Sequence, residues 1–135
     1  MKHTTRLALT TALAAALVAG CSSGGPNEVP RSWIADRYAG SGDDYIAAGS
    51  SPGAVANKID DHRSAHDRTR SGDRVFLRYR DDIVAISPYR GAGSRIEIDD
   101  YRDGHRRWHS HVAHVWPAPG SSGNGFRGGG PGSGK

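Results

Sequence analysis

Between Arg74 and Asp99 apolar and charged residues alternate with the period of two that a β-strand imposes on its two faces. Val75, Leu77 and Tyr79 alternate with Arg74, Arg78 and Arg80, and Ile96 and Ile98 with Arg95, Glu97 and Asp99. Between these runs Ile83 to Ile86 is continuously apolar, which suits a central strand covered on both sides. Asp81-Asp82 and Arg90-Gly91-Ala92-Gly93 supply turn residues, so the three strands read as an antiparallel meander.

The flanking segments follow a helical period. Pro30 suits a helix start, and Trp33, Ile34, Arg37 and Tyr38 recur at helical spacing, predicting a short helix over 30–38. Ala39 to Ser50 is rich in Gly, Ser and Asp and reads as a linker around Tyr45-Ile46. Ser51 is placed as an N-cap with Pro52 at the first helical position. Val55, Ile59, His62 and His66 then share one face of a helix ending before Gly72.

Residues 101–116 read two ways. As a strand they would align Trp108, Ser110, Val112, His114 and Trp116, an odd mixture. As a helix capped by Asp99 or Asp100, they gather Tyr101, His105, Trp108, Val112 and Val115 into one stripe opposite Arg102, Arg106, Arg107 and Ser110. The helix is the better reading, although Gly104 costs it about 1 kcal/mol. The expected fold is therefore α+β, a single small domain of order ααβββα, with a three-stranded antiparallel meander covered by about three helices.

The first twenty residues carry a different pattern. Lys2, His3 and Arg6 precede the uncharged apolar run Leu7 to Ala19, and the run ends in Val18-Ala19-Gly20-Cys21. As a helix such a run spans roughly 20 Å, short of a ~30 Å hydrocarbon core, so it suits a cleaved export signal better than a membrane span. Small residues directly before Cys21 match the bacterial lipobox, in which the cysteine is diacylated and becomes the first mature residue. Two acyl chains give stable anchoring where one is marginal. The expected location is the outer face of the cell membrane. Arg6 has no neighbouring arginine, which favours the general secretory route over the twin-arginine one.

This reading divides the chain into a signal peptide (1–20), a flexible tether (21–28), an α+β domain (29–116) and a Gly/Pro-rich disordered tail (117–135). It also changes the charge. The chain carries 18 Lys and Arg against 14 Asp and Glu. Loss of Lys2 and Arg6 leaves 16 basic residues against the same 14, too even a balance to support nucleic-acid binding. Arginine far outnumbers lysine, which fits the coding bias of a GC-rich, actinobacterial-type genome. Cys21 is the single cysteine, so lipidation leaves no thiol for a disulfide, a nucleophile or a metal site.

Four motifs invite a chemical reading. Gly129 to Lys135 spells most of a phosphate-binding loop, but no helix or Ser/Thr follows Lys135. Gly49-Ser50-Ser51-Pro52-Gly53 fits G-x-S-x-G, yet the residue after that serine must donate a backbone N–H and proline has none. His62 and His66 stand four apart, a spacing that lets both bind one metal from a helix. His105, His109, His111 and His114 form the densest histidine run, in which at most a pair such as His105 and His109, or His111 and His114, could converge. Zinc or copper held by His62, His66 and one of that run is the metal-binding alternative; otherwise no cofactor is expected. The charges of Arg74, Arg78, Arg80, Arg95, Glu97 and Asp99 read as a solvated sheet face with cross-strand pairs, one that an anionic envelope polymer could use. Asp81-Asp82 and Asp99-Asp100 are chain neighbours and do not oppose each other across a substrate.

Residues 75–89 (VFLRYRDDIVAISPY), Ser94 to Tyr101 and the ending Phe126 to Lys135 resemble a family of small bacterial lipoproteins known as domain of unknown function 4247. The resemblance runs from about Val29 to the C-terminus. It implies lipoprotein character and no assigned activity, so it transfers no catalytic or binding residue. Together these readings predict a non-enzymatic, lipid-anchored envelope protein whose domain binds an unidentified envelope protein or polymer. A metal-binding lipoprotein is the competing reading.

Overall fold

The computed structural model describes residues 25–121. The expected signal peptide (1–20), Cys21 and the tail beyond residue 121, including the loop-like Gly129 to Lys135, lie outside the described residues.

The sheet has six strands, not three. The strands are β1 (Ala39–Ser41), β2 (Asp44–Ala47), β3 (Asp67–Ser71), β4 (Arg74–Arg78), β5 (Asp82–Tyr89) and β6 (Gly93–Asp100). All pairings are antiparallel, in the order β1-β2-β6-β5-β4-β3. Four short helices accompany them: α1 (Arg31–Arg37), α2 (Pro52–His62), α3 (Tyr101–Arg107) and α4 (His109–Val112). The α+β class holds, while the three-stranded ααβββα plan is corrected to the order αββαββββαα, with strands both before and after α2.

The expected meander is present as β4-β5-β6, with Val75 opposite Ile86 and Ile86 opposite Ile96. The additional strands come from segments whose side chains carry no apolar alternation. Residues 39–50 are a hairpin rather than a linker, with β1 and β2 joined by Gly42-Asp43 and Tyr45 paired with Ile96. Asp67–Ser71 is not the end of a helix but an edge strand without one apolar side chain. Its charges suit an edge, where they discourage pairing with another chain. Ser71-Gly72-Asp73-Arg74 repeats the hairpin chemistry of Ser41-Gly42-Asp43-Asp44, and Gly72 and Gly42 take φ of 59° and 65° at the first turn position. Helix α2 consequently stops at His62, and Arg63 is extended at φ −148° and ψ 114°, so His66 is not on the helix.

The helix starts follow their sequence cues. Ser51 Oγ accepts the Ala54 N–H at 3.4 Å, with Pro52 at the head of α2. Asp100 accepts the Asp103 N–H at 2.9 Å at the head of α3. The helical reading of 101–116 is corrected in extent: it breaks at Trp108 (φ −102°, ψ 20°) and resumes for one turn as α4.

Helix α2 connects β2 to β3 across one face of the sheet, against β4, β5 and β6. There Ile34, Val55, Ala56, Ile59, Val75, Leu77, Tyr79, Val84, Ile86 and Ile96 form the larger core. Strand alternation sends Phe76, Ile83 and Ala85 to the opposite face, where Val112 and Trp116 cover them. Ile83–Ile86 is thus buried on both sides, as its unbroken apolar run requires. Among the described residues, no helix is long and apolar enough to cross a membrane.

Candidate functional site

Helices α3 and α4 are short, and the face they cover carries more than its small core. Register places three polar side chains in one row across its middle strands. Ser87 on β5 pairs with Arg95 on β6, and Arg74 on β4 stands one step past the Val75–Ile86 pair, beside Ser87. Strands lie about 4.8 Å apart, so the two arginines flank the serine with Cα atoms about 10 Å from each other.

Aromatic rings hold these arginines. Arg74 lies over Trp108, 5.8 Å from the ring centroid, and Arg95 lies over Tyr89 at 4.7 Å. Arg90 approaches Tyr89 from the turn at 5.5 Å. Such stacking orients a guanidinium without using its N–H donors. Among the described residues, six buried side-chain polar atoms have no hydrogen-bond partner. Four of them belong to this row and its lid: Arg74 Nε, Ser87 Oγ, Arg95 Nε and Trp108 Nε1. Arg95 Nε stands 3.8 Å from Asp44, an ion-pair distance too long for a hydrogen bond. A buried donor without an acceptor costs about 1–3 kcal/mol, and native folds leave few of them. All four lie on the face that α3 and α4 partly roof.

The neighbouring register is acidic and internally satisfied. Arg107 on α3 reaches down to Asp99 at 3.1 Å and to Glu97 at 3.5 Å. Its hydrogen bond to Asp99 and the charges of Asp99 and Glu97 raise its pKa. The Glu97 pKa is also raised, by burial first and then by Asp44, with Asp99 adding to the effect and Arg107 and Arg95 opposing it. The face thus carries an acidic patch at Asp44, Glu97 and Asp99 beside a basic row in which, among the described residues, Arg74 has no ion pair and Arg95 has only its 3.8 Å pair with Asp44.

The charges expected to form one solvated face are therefore sorted by the fold. Arg74, Arg78, Arg95, Glu97 and Asp99 share the α3-α4 face, partly roofed by those helices, and Arg78 lies over Tyr101 at 5.0 Å. Arg80 falls in the β4-β5 turn and binds Glu28 at 2.6 Å and Asp81 at 2.8 Å. Ser87, Tyr89 and Trp108 were not candidates on sequence grounds. The alternation Ile83, Ala85, Ser87 was the available sign, since it carries a hydroxyl onto an otherwise apolar face.

The histidines are distributed over different surroundings. His62, at the end of α2, stacks on Trp33 with ring centroids 4.5 Å apart. His66 is exposed, its backbone N–H donating to the Arg78 carbonyl at 2.7 Å. His105 is buried, with Nε2 3.2 Å from the Trp116 carbonyl, and its ring lies 5.8 Å from that of His109. His111 pairs through Nδ1 with Ser71 Oγ at 2.8 Å and stacks on Phe76, while His114 is exposed. The His105 and His109 rings meet edge to face. Among the described residues no three His, Cys, Asp or Glu side chains gather closely enough to hold a metal.

The G-x-S-x-G match is the turn into α2, where Ser51 serves as the cap. Beside it an open cleft of about 500 Å³ is lined by Gly53, Asn57, Arg68, Thr69, Arg70 and Val75. Arg68 there donates to Asn57 Oδ1 at 2.8 Å and stands 4.0 Å from Asp60.

Neither a curated protein nor a solved structure matches this chain. The segments that form β4, β5 and β6 are those that carried the family resemblance. The family described as Domain of unknown function (DUF4247) matches residues 14–135, nearly the whole sequence, and the chain belongs to that family.

Proposed function

We propose that this chain is a lipid-anchored binding module of the cell envelope, held on the outer face of the cell membrane through Cys21, with no catalytic step of its own. The observation that carries the binding role is the row Arg74–Ser87–Arg95 with Trp108 above Arg74, where Arg74 Nε, Ser87 Oγ, Arg95 Nε and Trp108 Nε1 are buried without a hydrogen-bond partner. An acceptor-bearing partner would complete their hydrogen bonds; packing alone leaves them unmade. The anchor rests on the lipobox Val18-Ala19-Gly20-Cys21 and its apolar lead.

Two measurements test the two halves of this reading. Cys21→Ala is expected to move the protein from the membrane pellet to the soluble or secreted fraction; continued membrane retention refutes the anchor. Affinity capture from native envelopes is expected to enrich a protein or polymer that an Arg74→Met/Arg95→Met chain fails to retain. Equal recovery by both chains refutes the binding role of the row.

A further inference from the structure

We infer that the Arg74–Ser87–Arg95 row is a phosphate-binding site, and that the phosphate it takes belongs to a polymer standing away from the membrane rather than to a lipid headgroup. The first part follows from the donors. Two arginines whose Cα atoms stand about 10 Å apart, with a hydroxyl between them, are spaced to close on one tetrahedral group from opposite sides. A carboxylate presents two coplanar oxygens and satisfies one guanidinium fork. A phosphodiester is tetrahedral, so its oxygens can accept from Arg74 on one side and Arg95 on the other, with Ser87 Oγ donating from below. Trp108 Nε1 is a further donor at the α3-α4 side of the row. Stacking on Trp108 and Tyr89 fixes the directions of both guanidiniums beforehand, which lowers the ordering cost of binding. Arg90, also on Tyr89, adds positive charge at the mouth.

The second part rests on the lipid anchor proposed above. The described chain begins at Gly25, whose N–H donates to Glu28 at 2.9 Å; Glu28 in turn binds Arg80, and the Arg80 N–H donates to the Asn27 carbonyl. The start of the domain is thereby clasped to the β4-β5 turn. Four peptide units separate Cys21 from Gly25 and span at most ~14 Å. A lipid on Cys21 therefore keeps the β4-β5 turn close to the membrane. From Asp82, at that end of β5, five steps of ~3.4 Å lead to Ser87, and the row lies toward the far β5-β6 turn. The donors consequently sit roughly 17 Å further along the strand from the anchored end, which favours a phosphodiester polymer of the wall side over a lipid headgroup of the same membrane.

The test uses the exported chain with Cys21→Ser, so that no lipid is attached, titrated with poly(glycerol phosphate), with polyglutamate of matched charge, and with phosphatidylglycerol vesicles. The phosphate polymer is expected to bind, and Arg74→Met/Arg95→Met to weaken it at least tenfold while an Arg102→Met/Arg106→Met control leaves it within twofold. Melting curves establish that each variant is folded. Should the double variant unfold, Ser87→Ala and the single Arg95→Met decide, each with an expected loss of at least threefold. Binding unchanged in these variants overturns the site. Equal affinity for polyglutamate overturns the choice of phosphate. The lipidated parent chain reconstituted in phosphatidylglycerol vesicles is expected to keep its polymer affinity; loss of polymer binding there, the row being taken by headgroups, overturns the polymer as source. Retention of Cys21→Ala on membranes removes the orientation argument alone, and the titration still judges phosphate recognition.

Discussion

Single side chains on the α3-α4 face respond to charge in opposite ways. Glu97 is half-buried among Asp44 and Asp99, and its folded pKa lies above the ordinary value of 4.5 because burial, then Asp44, disfavour the anion. The folded state therefore holds this proton more tightly than the unfolded one. That contribution is fully present below the unfolded value and is lost as pH rises through the folded one. Glu97→Gln keeps the shape and cannot titrate. Urea denaturation from pH 4 to 7 is expected to show a smaller loss of stability with rising pH in Glu97→Gln than in the parent chain. Asp100 works the other way: the hydrogen bond from the Asp103 backbone N–H lowers its pKa below 3.8. Its capping of α3 is retained above that value and is lost as pH falls through the folded pKa.

Elements meet closely where a helix lies directly on the sheet. Gly104 had seemed only a weakness in α3. In the fold it is buried, and a Cβ there would meet Ile83 Cβ at 3.0 Å and Asp99 Cβ at 3.2 Å. Those atoms are fixed to β5 and β6, so relief requires the helix to lift. Gly104→Ala gains helix propensity and loses packing; the balance is expected to be a net destabilisation of about 1–3 kcal/mol, read by chemical denaturation. The displacement would also move Arg107 from Glu97 and Asp99. The element boundaries were legible where chemistry is local, at the Ser51 and Asp100 caps and at the Arg90–Gly93 turn. They were illegible at β3, whose Asp-Arg-Thr-Arg-Ser has no apolar side chain and is a strand only because β4 offers it hydrogen bonds. The repeated Ser-Gly-Asp turn at 41–43 and 71–73 was the sign that both missed hairpins carried.

Across the molecule, the far end of the chain closes the second core. Trp116 is 2 % exposed, packs in the cluster with Phe76, Ile83 and Val112, and donates from its indole N–H to Asp67 on the edge strand at 2.9 Å. It thus joins the segment after α4 to β3, the strand furthest from β1. Trp116→Ala leaves a cavity over Phe76 and Asp67 without its donor; a loss of about 3–5 kcal/mol is expected in equilibrium unfolding. Protection of β3 amides from hydrogen exchange should fall with it. The same roof carries Trp108, so the variant tests whether the cover over Arg74 depends on Trp116.

The sequence by itself determined the caps, the central meander, the two-sided burial of Ile83–Ile86 and membership of the family, because each depends on local chemistry or a short period. It also contained the lipobox on which the proposed anchor rests. Only the tertiary structure decided that the sheet has six strands, since edge strands are defined by partners distant in the chain. Tertiary structure alone also sorted the arginines. Alternation told which residues share a strand face, but not that Arg107 neutralises Glu97 and Asp99 while Arg74, Ser87 and Arg95 are left with donors and no acceptor. That difference comes from where two short helices land on the sheet, which no period along the chain encodes.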